Sequence, residues 1–249
     1  MRISLITINR NNAEGLERTL RSVYGQELSA GIELEHIIVD GQSTDASAET
    51  IRRFAPQSLL AVCEPKGVYD AINRGLGMAS GHVVGLLHSG DTFASPQVLN
   101  YICQVFENET DVDFVYGDVT IGRRYYPGLG LSRARLAQGF APPHPSLYMR
   151  QHVVRQVGVY DVTLRIAADF DYFVRLAESN KALTGKYLPF RMVDMEPGGL
   201  SQQTANRLWH NNTERLRALR KAGIKSNRWR LMSHYITVIK GFICSSKKK

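Results

Sequence analysis

The sequence has little cysteine and no long hydrophobic run. Its three cysteines, Cys63, Cys103 and Cys244, are far apart and form no Cys-x-x-Cys pair. This spacing predicts neither a disulfide framework nor a zinc site, so we expect a reduced, cytosolic protein. No stretch reaches the ~18 to 20 apolar residues that a membrane-spanning helix needs. The apolar segment at residues 3–8 is too short for a signal-peptide core and is typical of a buried strand.

Acidic residues are scarce at the end of the chain. Residues 207–249 contain 12 lysines and arginines and one acid, Glu214, whereas the other residues carry 19 basic and 22 acidic side chains. A basic segment on a mildly acidic body calls for an anionic partner. We therefore divide the chain into a domain at residues 1–205 and a basic, helical C-terminal extension at residues 206–249.

One face of this extension is apolar at helical spacing. The face consists of Leu231, Met232, Tyr235, Ile236, Ile239, Phe242 and Ile243. Because basic residues flank it, such a helix can lie in the interface of an anionic membrane. A helix that seals the edge of the sheet while its charges face water fits the same pattern. We expect a cytoplasmic protein. Peripheral binding at the inner face of the plasma membrane is one of the two interpretations of the extension that stay open.

The first half of the chain alternates apolar runs with amphipathic helical patterns. Runs at residues 3–8, 36–39, 59–63, 83–87 and 114–116 predict strands. The alternation predicts an α/β fold with a mainly parallel central sheet flanked by helices. In such sheets ligands bind beyond the carboxyl ends of the strands, so we look for chemistry there. Farther along, the glycines, prolines and aromatic residues of 122–145 are typical of loops.

Polar residues follow the first two predicted strands. The first strand ends near Thr7 and Asn9, and the second runs into Asp40 and the segment 41–45, Gly-Gln-Ser-Thr-Asp. An acid at a strand end, followed by glycine and a helix start, can accept hydrogen bonds from a base or ribose. The same segment is also a good turn and N-cap. Both interpretations stay open on these residues alone.

The next two strand ends carry a lysine and an acid. Lys66 and Gly67 precede a helix whose N-terminus would attract phosphate, although a plain turn fits as well. Asp91 follows the fourth strand, where its carboxylate could hold Mg²⁺ or Mn²⁺ against a diphosphate. The alternative is that Asp91 caps the following helix.

Taken together, these segments resemble the family-2 inverting glycosyltransferases of the GT-A fold, particularly the bacterial exopolysaccharide branch of the colanic-acid type. The resemblance runs in colinear order over roughly residues 3–201. The segments that carry it are residues 7–9, 39–45, 64–75, 87–93, 144–146, 168–171 and 198–201.

The resemblance implies a donor site for a nucleotide-sugar. Thr7, Asn9 and Asp40 would line the nucleotide pocket, with Asp40 reading the base or ribose. Lys66 and Asp70 would lie near the nucleotide and diphosphate. Gly198, Gly199 and Ser201 would belong to a mobile loop that closes over the diphosphate.

The resemblance also implies a metal ligand and a base. Asp91 would match the last acid of the DxD-type metal motif, and Asp169 the catalytic base. Many members have two adjacent acids where this chain has Gly90-Asp91. One carboxylate fewer should weaken binding of Mg²⁺ or Mn²⁺ unless His88 or His144 joins the shell. Asp171 is the rival base, but two residues along a helix it points to a nearly opposite side.

The implied reaction transfers a sugar, with inversion, to a saccharide or polyprenyl-linked acceptor in bacterial surface polysaccharide synthesis. Two alternatives are a nucleotidyltransferase and a basic-tailed nucleic-acid-binding α/β protein. The strand-end acids would repel a phosphate backbone, so we expect no nucleic-acid partner. A dinucleotide-binding dehydrogenase is disfavoured because no G-x-G-x-x-G follows the first strand.

Overall fold

The protein is built on a nine-stranded mixed sheet in the part of the chain that this computed structural model describes, residues 1–179, 183–197 and 205–231. The strands are β1 Arg2–Asn9, β2 Glu33–Asp40, β3 Leu59–Val62, β4 Val83–Leu86, β5 Thr92–Phe93, β6 Phe114–Ile121, β7 Arg124–Tyr126, β8 Tyr148–Arg150 and β9 Gly185–Met195. Their order is β3-β2-β1-β4-β8-β6-β9-β5, and β7 pairs with β6. Strands β1 to β4 are all parallel, whereas β8 is antiparallel to both of its neighbours.

Helices cover both faces of this sheet. They are α1 Ala13–Tyr24, α2 Ser47–Phe54, α3 Val68–Met78, α4 Val98–Asn108, α5 Arg133–Ala137, α6 Gln151–Val157, α7 Ala168–Ala177 and α8 Ala205–Lys221. Leu5 and Ile6 are consecutive and both fully buried, yet they belong to different core clusters. Because β1 is covered on both faces, its residues 3–7 are all buried rather than alternately buried and exposed. The predicted α/β fold with parallel strands flanked by helices is confirmed.

Two segments differ from the sequence-based expectation. Residues 122–145 are not wholly loop, because β7 pairs with β6 and α5 begins at a Ser132 cap whose side chain accepts the Arg135 N–H. Strand β3 is buried less than its apolar sequence indicates. It forms the edge of the sheet and leaves Leu59, Leu60 and Val62 46%, 46% and 62% exposed.

The described part of the C-terminal extension packs on the domain. Helix α8 lies against α7, and Leu216, Leu219 and Ile224 join the same core cluster as α7. Leu231, which we had placed on a membrane-binding face, is fully buried in that cluster. Its side chain fills the space beside Gly139, so this residue does not face a membrane. The other residues of the predicted face, from Met232 onward, lie outside the described residues.

None of the helices described here combines the length and apolar character that a bilayer span requires.

Candidate active site

A cavity of about 520 Å³ opens at the carboxyl ends of β1 and β4. The N-termini of α3 and α7 form its other walls. This is where a parallel sheet places its ligands, because the loops leaving adjacent strands diverge there. The residues that line it come from the first 91 positions, from the turn His144–Ser146, from the start of α7 and from the end of β9.

Asn9, at the end of β1, presents a free acceptor at the wall of this cavity. Its Nδ2 donates to Asp40 Oδ2 at 2.8 Å and to Ser47 Oγ at 2.9 Å. Asp40 in turn accepts the Ser43 N–H at 2.8 Å, which fixes the turn after β2. Asn9 Oδ1 is buried and has no hydrogen-bond partner among the described residues. An N–H group of a bound base can satisfy that oxygen, because buried polar atoms are rarely left unpaired.

Two residues expected in the nucleotide pocket do not line the cavity. Thr7 is fully buried, and its Oγ1 lies 2.9 Å from His36 Nε2, while His36 Nδ1 lies 2.9 Å from Tyr24 OH. Thr7 sits two residues before the end of β1, where α1 already covers the sheet, so Thr7 is not among the described residues that line the cavity. Asp40 is 6% exposed, and its carboxylate is occupied by Asn9 and the turn after β2. It holds the pocket together without being among the described residues that line it.

Positive charge and a helix N-terminus border the next part of the cavity. Lys66 and Asp70 both line it, as we expected, together with Arg10. Lys66 Nζ lies 3.5 Å from Glu64 in an exposed pair, and the Asp70 charge is balanced by Arg74 at 2.8 Å. The cations Lys66 and Arg10 and the first N–H groups of α3 suit a diphosphate. Arg10 was not singled out from the sequence.

Asp91 lies on the floor of the cavity beside a second carboxylate. It is 7% exposed, and its Oδ1 accepts the Glu196 N–H at 3.3 Å. The pKa of Asp91 is raised to about 7, mainly because the carboxyl group is buried. The charge of Glu196 also raises this pKa, whereas the hydrogen bond from the Glu196 N–H lowers it. Gly90 has φ +101°, and a Cβ there would meet Glu196 Oε2 at 2.5 Å. Glu196 also accepts a hydrogen bond from Arg18 Nη2 at 2.7 Å. We did not predict a role for Glu196 from the sequence.

These two carboxylates fit a divalent cation only in part. A cation beside Asp91 and Glu196 would offset the repulsion between them, and oxygen is the ligand that Mg²⁺ and Mn²⁺ prefer. Among residues 1–179, 183–197 and 205–231, however, no group of three or more His, Cys, Asp or Glu side chains is placed to hold a metal. The remaining ligands would have to be diphosphate oxygens and water.

Asp169 and Asp171 face different surroundings. Asp169 lines the cavity, its side chain is 34% exposed, and its Oδ1 accepts the Phe170 N–H at 2.7 Å. Asp169 stands in the first turn of α7. Asp171 is 4% exposed and is paired with Arg175 Nε at 2.8 Å, away from the cavity. Of the two acids, only Asp169 lines this cavity.

Two histidines connect the floor of the cavity with Asp169. The rings of His88 and His144 lie 5.1 Å apart, and His144 Nδ1 lies 3.9 Å from Asp169 Oδ2. Burial, and secondarily His144, lowers the pKa of His88 to about 3. Burial also lowers the pKa of His144, although Asp169 opposes that shift. Both imidazoles are therefore neutral at pH 7.

Glu214, on α8, holds the segment before α7. Its carboxylate accepts the N–H groups of Arg165, Ile166 and Ala167 at 2.9, 2.9 and 2.8 Å. Tyr69 OH donates to the Ile166 carbonyl at 2.8 Å, so the segment is fixed from two sides. The sequence held one signal for this role, since Glu214 is the single acid of the basic extension.

Comparison with known proteins decides which family this site belongs to. The model of Glycosyl transferase family 2 matches residues 4–164. The chain belongs to glycosyl transferase family 2. This family-2 glycosyltransferase is 33% identical over 181 residues to an uncharacterized glycosyltransferase of Mycobacterium tuberculosis, covering 70% of this chain and 68% of the relative. It is 29% identical over 206 residues to a PGL/p-HBAD biosynthesis glycosyltransferase of Mycobacterium bovis, covering 80% and 78%.

Solved structures place the glycosyltransferase in the GT-A fold, as predicted. TarS 1–349 of S. aureus in complex with UDP-GlcNAc superimposes with a TM-score of 0.71 at 16% identity, over 89% of this chain and 65% of that one. The mannosyltransferase PcManGT of Pyrobaculum calidifontis, in complex with GDP-Man and Mn²⁺, gives 0.61 at 17% identity, over 90% and 65%. The chain therefore spans about two thirds of the length of these structures. Gly198, Gly199 and Ser201, expected in a loop over the diphosphate, lie outside the described residues.

Proposed function

We propose that this glycosyltransferase moves a sugar from a nucleotide-diphosphate donor to a hydroxyl acceptor, with inversion at the anomeric carbon. One observation carries the proposal: Asp91 and Asp169 line the same cavity from different elements. We assign the diphosphate to the side of Asp91 and the acceptor to the side of Asp169. Asn9, Lys66 and Arg10 complete the donor side. The arrangement separates the leaving group from the attacking hydroxyl, as a single in-line displacement requires.

In the proposed reaction, one side of the cavity accepts the proton of the acceptor and the other side stabilises the departing diphosphate. Asp169 Oδ2 accepts the proton of the acceptor hydroxyl as its oxygen attacks the anomeric carbon. The bond to the diphosphate breaks, and Lys66, Arg10 and the N-terminus of α3 stabilise the charge that it gains. Mg²⁺ or Mn²⁺, when bound at Asp91 and Glu196, supplies further positive charge to the leaving group. One displacement inverts the configuration.

The test is a screen of the purified protein against UDP-, GDP- and dTDP-sugars by thermal shift with Mn²⁺. We expect one nucleotide-sugar to raise the melting temperature, and the same donor to release its nucleoside diphosphate when an acceptor is present. The anomeric configuration of the product, read by NMR, should be opposite to that of the donor. A retained configuration would refute the single displacement, and consumption of a nucleoside triphosphate would favour a nucleotidyltransferase.

The acceptor class is a further part of the proposal. We infer a saccharide or lipid-linked acceptor of a bacterial surface polysaccharide, because the motifs resemble the exopolysaccharide branch. The name of the Mycobacterium bovis relative points to PGL/p-HBAD biosynthesis. The assay is transfer of labelled sugar to short saccharides with and without a polyprenyl diphosphate. Equal rates with both would remove the lipid from the proposal.

We also propose that the C-terminal extension brings the enzyme to the inner face of an anionic membrane. Trp229 is 85% exposed and stands among the 12 basic residues of 207–249. An exposed tryptophan beside basic residues is typical of proteins that bind a membrane interface. Flotation with vesicles of anionic and of neutral lipid should retain the protein only on the anionic ones. Binding to the anionic vesicles should be weaker for Trp229→Ala, and also for a variant with glutamate at positions 247, 248 and 249. Unchanged flotation of both variants would contradict the proposal.

A further inference from the structure

The buried histidines His36 and His88 differ in whether their ring nitrogens have hydrogen-bond partners. His36 is 4% exposed, and both of its ring nitrogens have a partner, Thr7 Oγ1 and Tyr24 OH, each at 2.9 Å. The nitrogens of His88 are also buried, but neither has a hydrogen-bond partner among the described residues. Leaving a buried polar group unpaired costs roughly 1–3 kcal/mol. A histidine that served only to pack would be expected to resemble His36.

The position of His88 in the cavity wall allows its ring nitrogens to bind a ligand. His88 lines the cavity three residues before Asp91, and its ring lies beside that of His144, which in turn approaches Asp169. In an in-line displacement the transferred sugar lies between the leaving diphosphate and the attacking hydroxyl. His88 and His144 occupy the stretch of cavity wall between those two ends. The sugar, rather than the nucleotide, is therefore the part of the donor nearest to His88.

The chemistry of a neutral imidazole matches a hydroxyl group. One ring nitrogen donates a hydrogen bond and the other accepts one, and a sugar hydroxyl can do both. A phosphate oxygen can only accept, so it would leave one nitrogen unpaired. Because the nitrogens of His88 bond to no described residue, turning the ring toward a ligand breaks no hydrogen bond.

We propose that His88 binds a hydroxyl group of the transferred sugar and thereby helps to select the donor. The inference rests on the proposed function, since it assumes a nucleotide-sugar in the cavity. It assigns His88 a role in recognising the sugar, and none in binding the base or the diphosphate.

The experiment compares binding of UDP, GDP, UDP-GlcNAc, GDP-mannose and the donor found by the screen to wild type and variants. His88→Leu should bind the nucleoside diphosphate within about twofold of wild type. It should bind the matching nucleotide-sugar roughly 10- to 100-fold more weakly, the scale of one or two lost hydrogen bonds. His88→Asn, which keeps a donor and an acceptor, should recover part of the loss. His152→Ala is the control, because His152 is an exposed histidine paired with Asp113.

A second arm changes the ligand and compares wild type with the conservative variant His88→Asn. Wild type should lose affinity about tenfold or more for one monodeoxy analogue of its donor sugar, and His88→Asn should lose much less for that same analogue. If every monodeoxy analogue weakens both proteins equally, the inference is wrong. It is equally overturned if His88→Leu weakens the nucleoside diphosphate itself, above all if that loss needs Mn²⁺, because His88 would then act on the metal or leaving group. Failure of wild type to bind any nucleotide-sugar would instead refute the proposed function.

Discussion

Replacing Glu214 with alanine should damage both the stability and the turnover of the enzyme. The change leaves the N–H groups of Arg165, Ile166 and Ala167 without their acceptor. A hydrogen bond to a charged group contributes about 1.5–3 kcal/mol, but this carboxylate is only half-buried and water can replace part of it. We therefore expect a loss of about 3 kcal/mol in total, or a fall in Tm of about 6–12 °C for a chain of this size.

The effect on turnover follows from the position of the segment. Arg165, Ile166 and Ala167 lead directly into α7 and Asp169, so loosening them displaces the proposed base. Misplacement by about 1 Å can cost up to 10²-fold in rate. We expect kcat to fall about 10- to 100-fold, while donor affinity changes little because the donor side of the cavity is untouched.

The assay is thermal unfolding together with steady-state kinetics, with Glu49→Ala as the matched control. Glu49 is an exposed acid on α2, far from α7 in the chain, and its removal should change stability by less than about 0.5 kcal/mol. Glu214→Gln keeps one acceptor oxygen and should fall between wild type and Glu214→Ala. A Glu214→Ala protein with wild-type Tm and kcat would show that the three hydrogen bonds do not hold the base.

Four other outcomes follow from the structure. Asp169→Asn should lower kcat by ~10² or more with donor binding intact, whereas Asp171→Asn should lower Tm with little change in kcat; the reverse pattern would reassign the base. Asp91→Asn should weaken nucleotide-sugar binding in the presence of Mn²⁺ but not in EDTA. Full activity of the wild-type enzyme in EDTA would show that the reaction needs no metal ion. Thr7→Val should lower Tm without changing donor affinity, because it removes a partner of His36. Burial lowers the pKa of His36 to about 3, so between pH 6.5 and pH 3 the unfolded state binds a proton at this residue and the folded state does not. His36 should therefore make the free energy of unfolding about 2 kcal/mol smaller at pH 5 than at pH 7, measured with denaturant. A free energy of unfolding that does not change between these pH values would contradict this prediction.

The fold was accessible from the sequence because its signals are local. The apolar run before Asn9 is buried on both faces of the sheet, and the helix beginning near Asp169 is α7. Edges are harder to predict, since β3 has the apolar sequence of an inner strand and differs only in having one neighbour. Nothing within residues 59–63 reveals that the sheet ends there.

The site was accessible only in part. The motifs bring Lys66, Asp91 and Asp169 to one cavity, because each follows a strand or begins a helix. The motif does not reveal that Thr7 is buried, since a shift of two residues along a strand separates the cavity lining from the core. Glu214 and Glu196 were missed for another reason. Their roles depend on long-range packing. Glu214 stands out in the sequence as the single acid of the basic extension, but that signal does not identify the groups that it contacts.

The hydrogen bonds of Glu214 have a consequence for how the enzyme acquires activity during its synthesis. Asn9, Arg10 and Lys66 line the cavity from the first 91 residues, but the residue that holds the segment before α7 comes more than 40 positions after Asp169. Chains fold from the N-terminus as they emerge from the ribosome. Nascent chains can therefore form the part of the cavity wall that carries Asn9, Arg10 and Lys66 long before the segment leading to Asp169 is held in place. Such a delay would keep an incomplete enzyme from consuming the donor, and long-range closure of this kind is a slow step in folding.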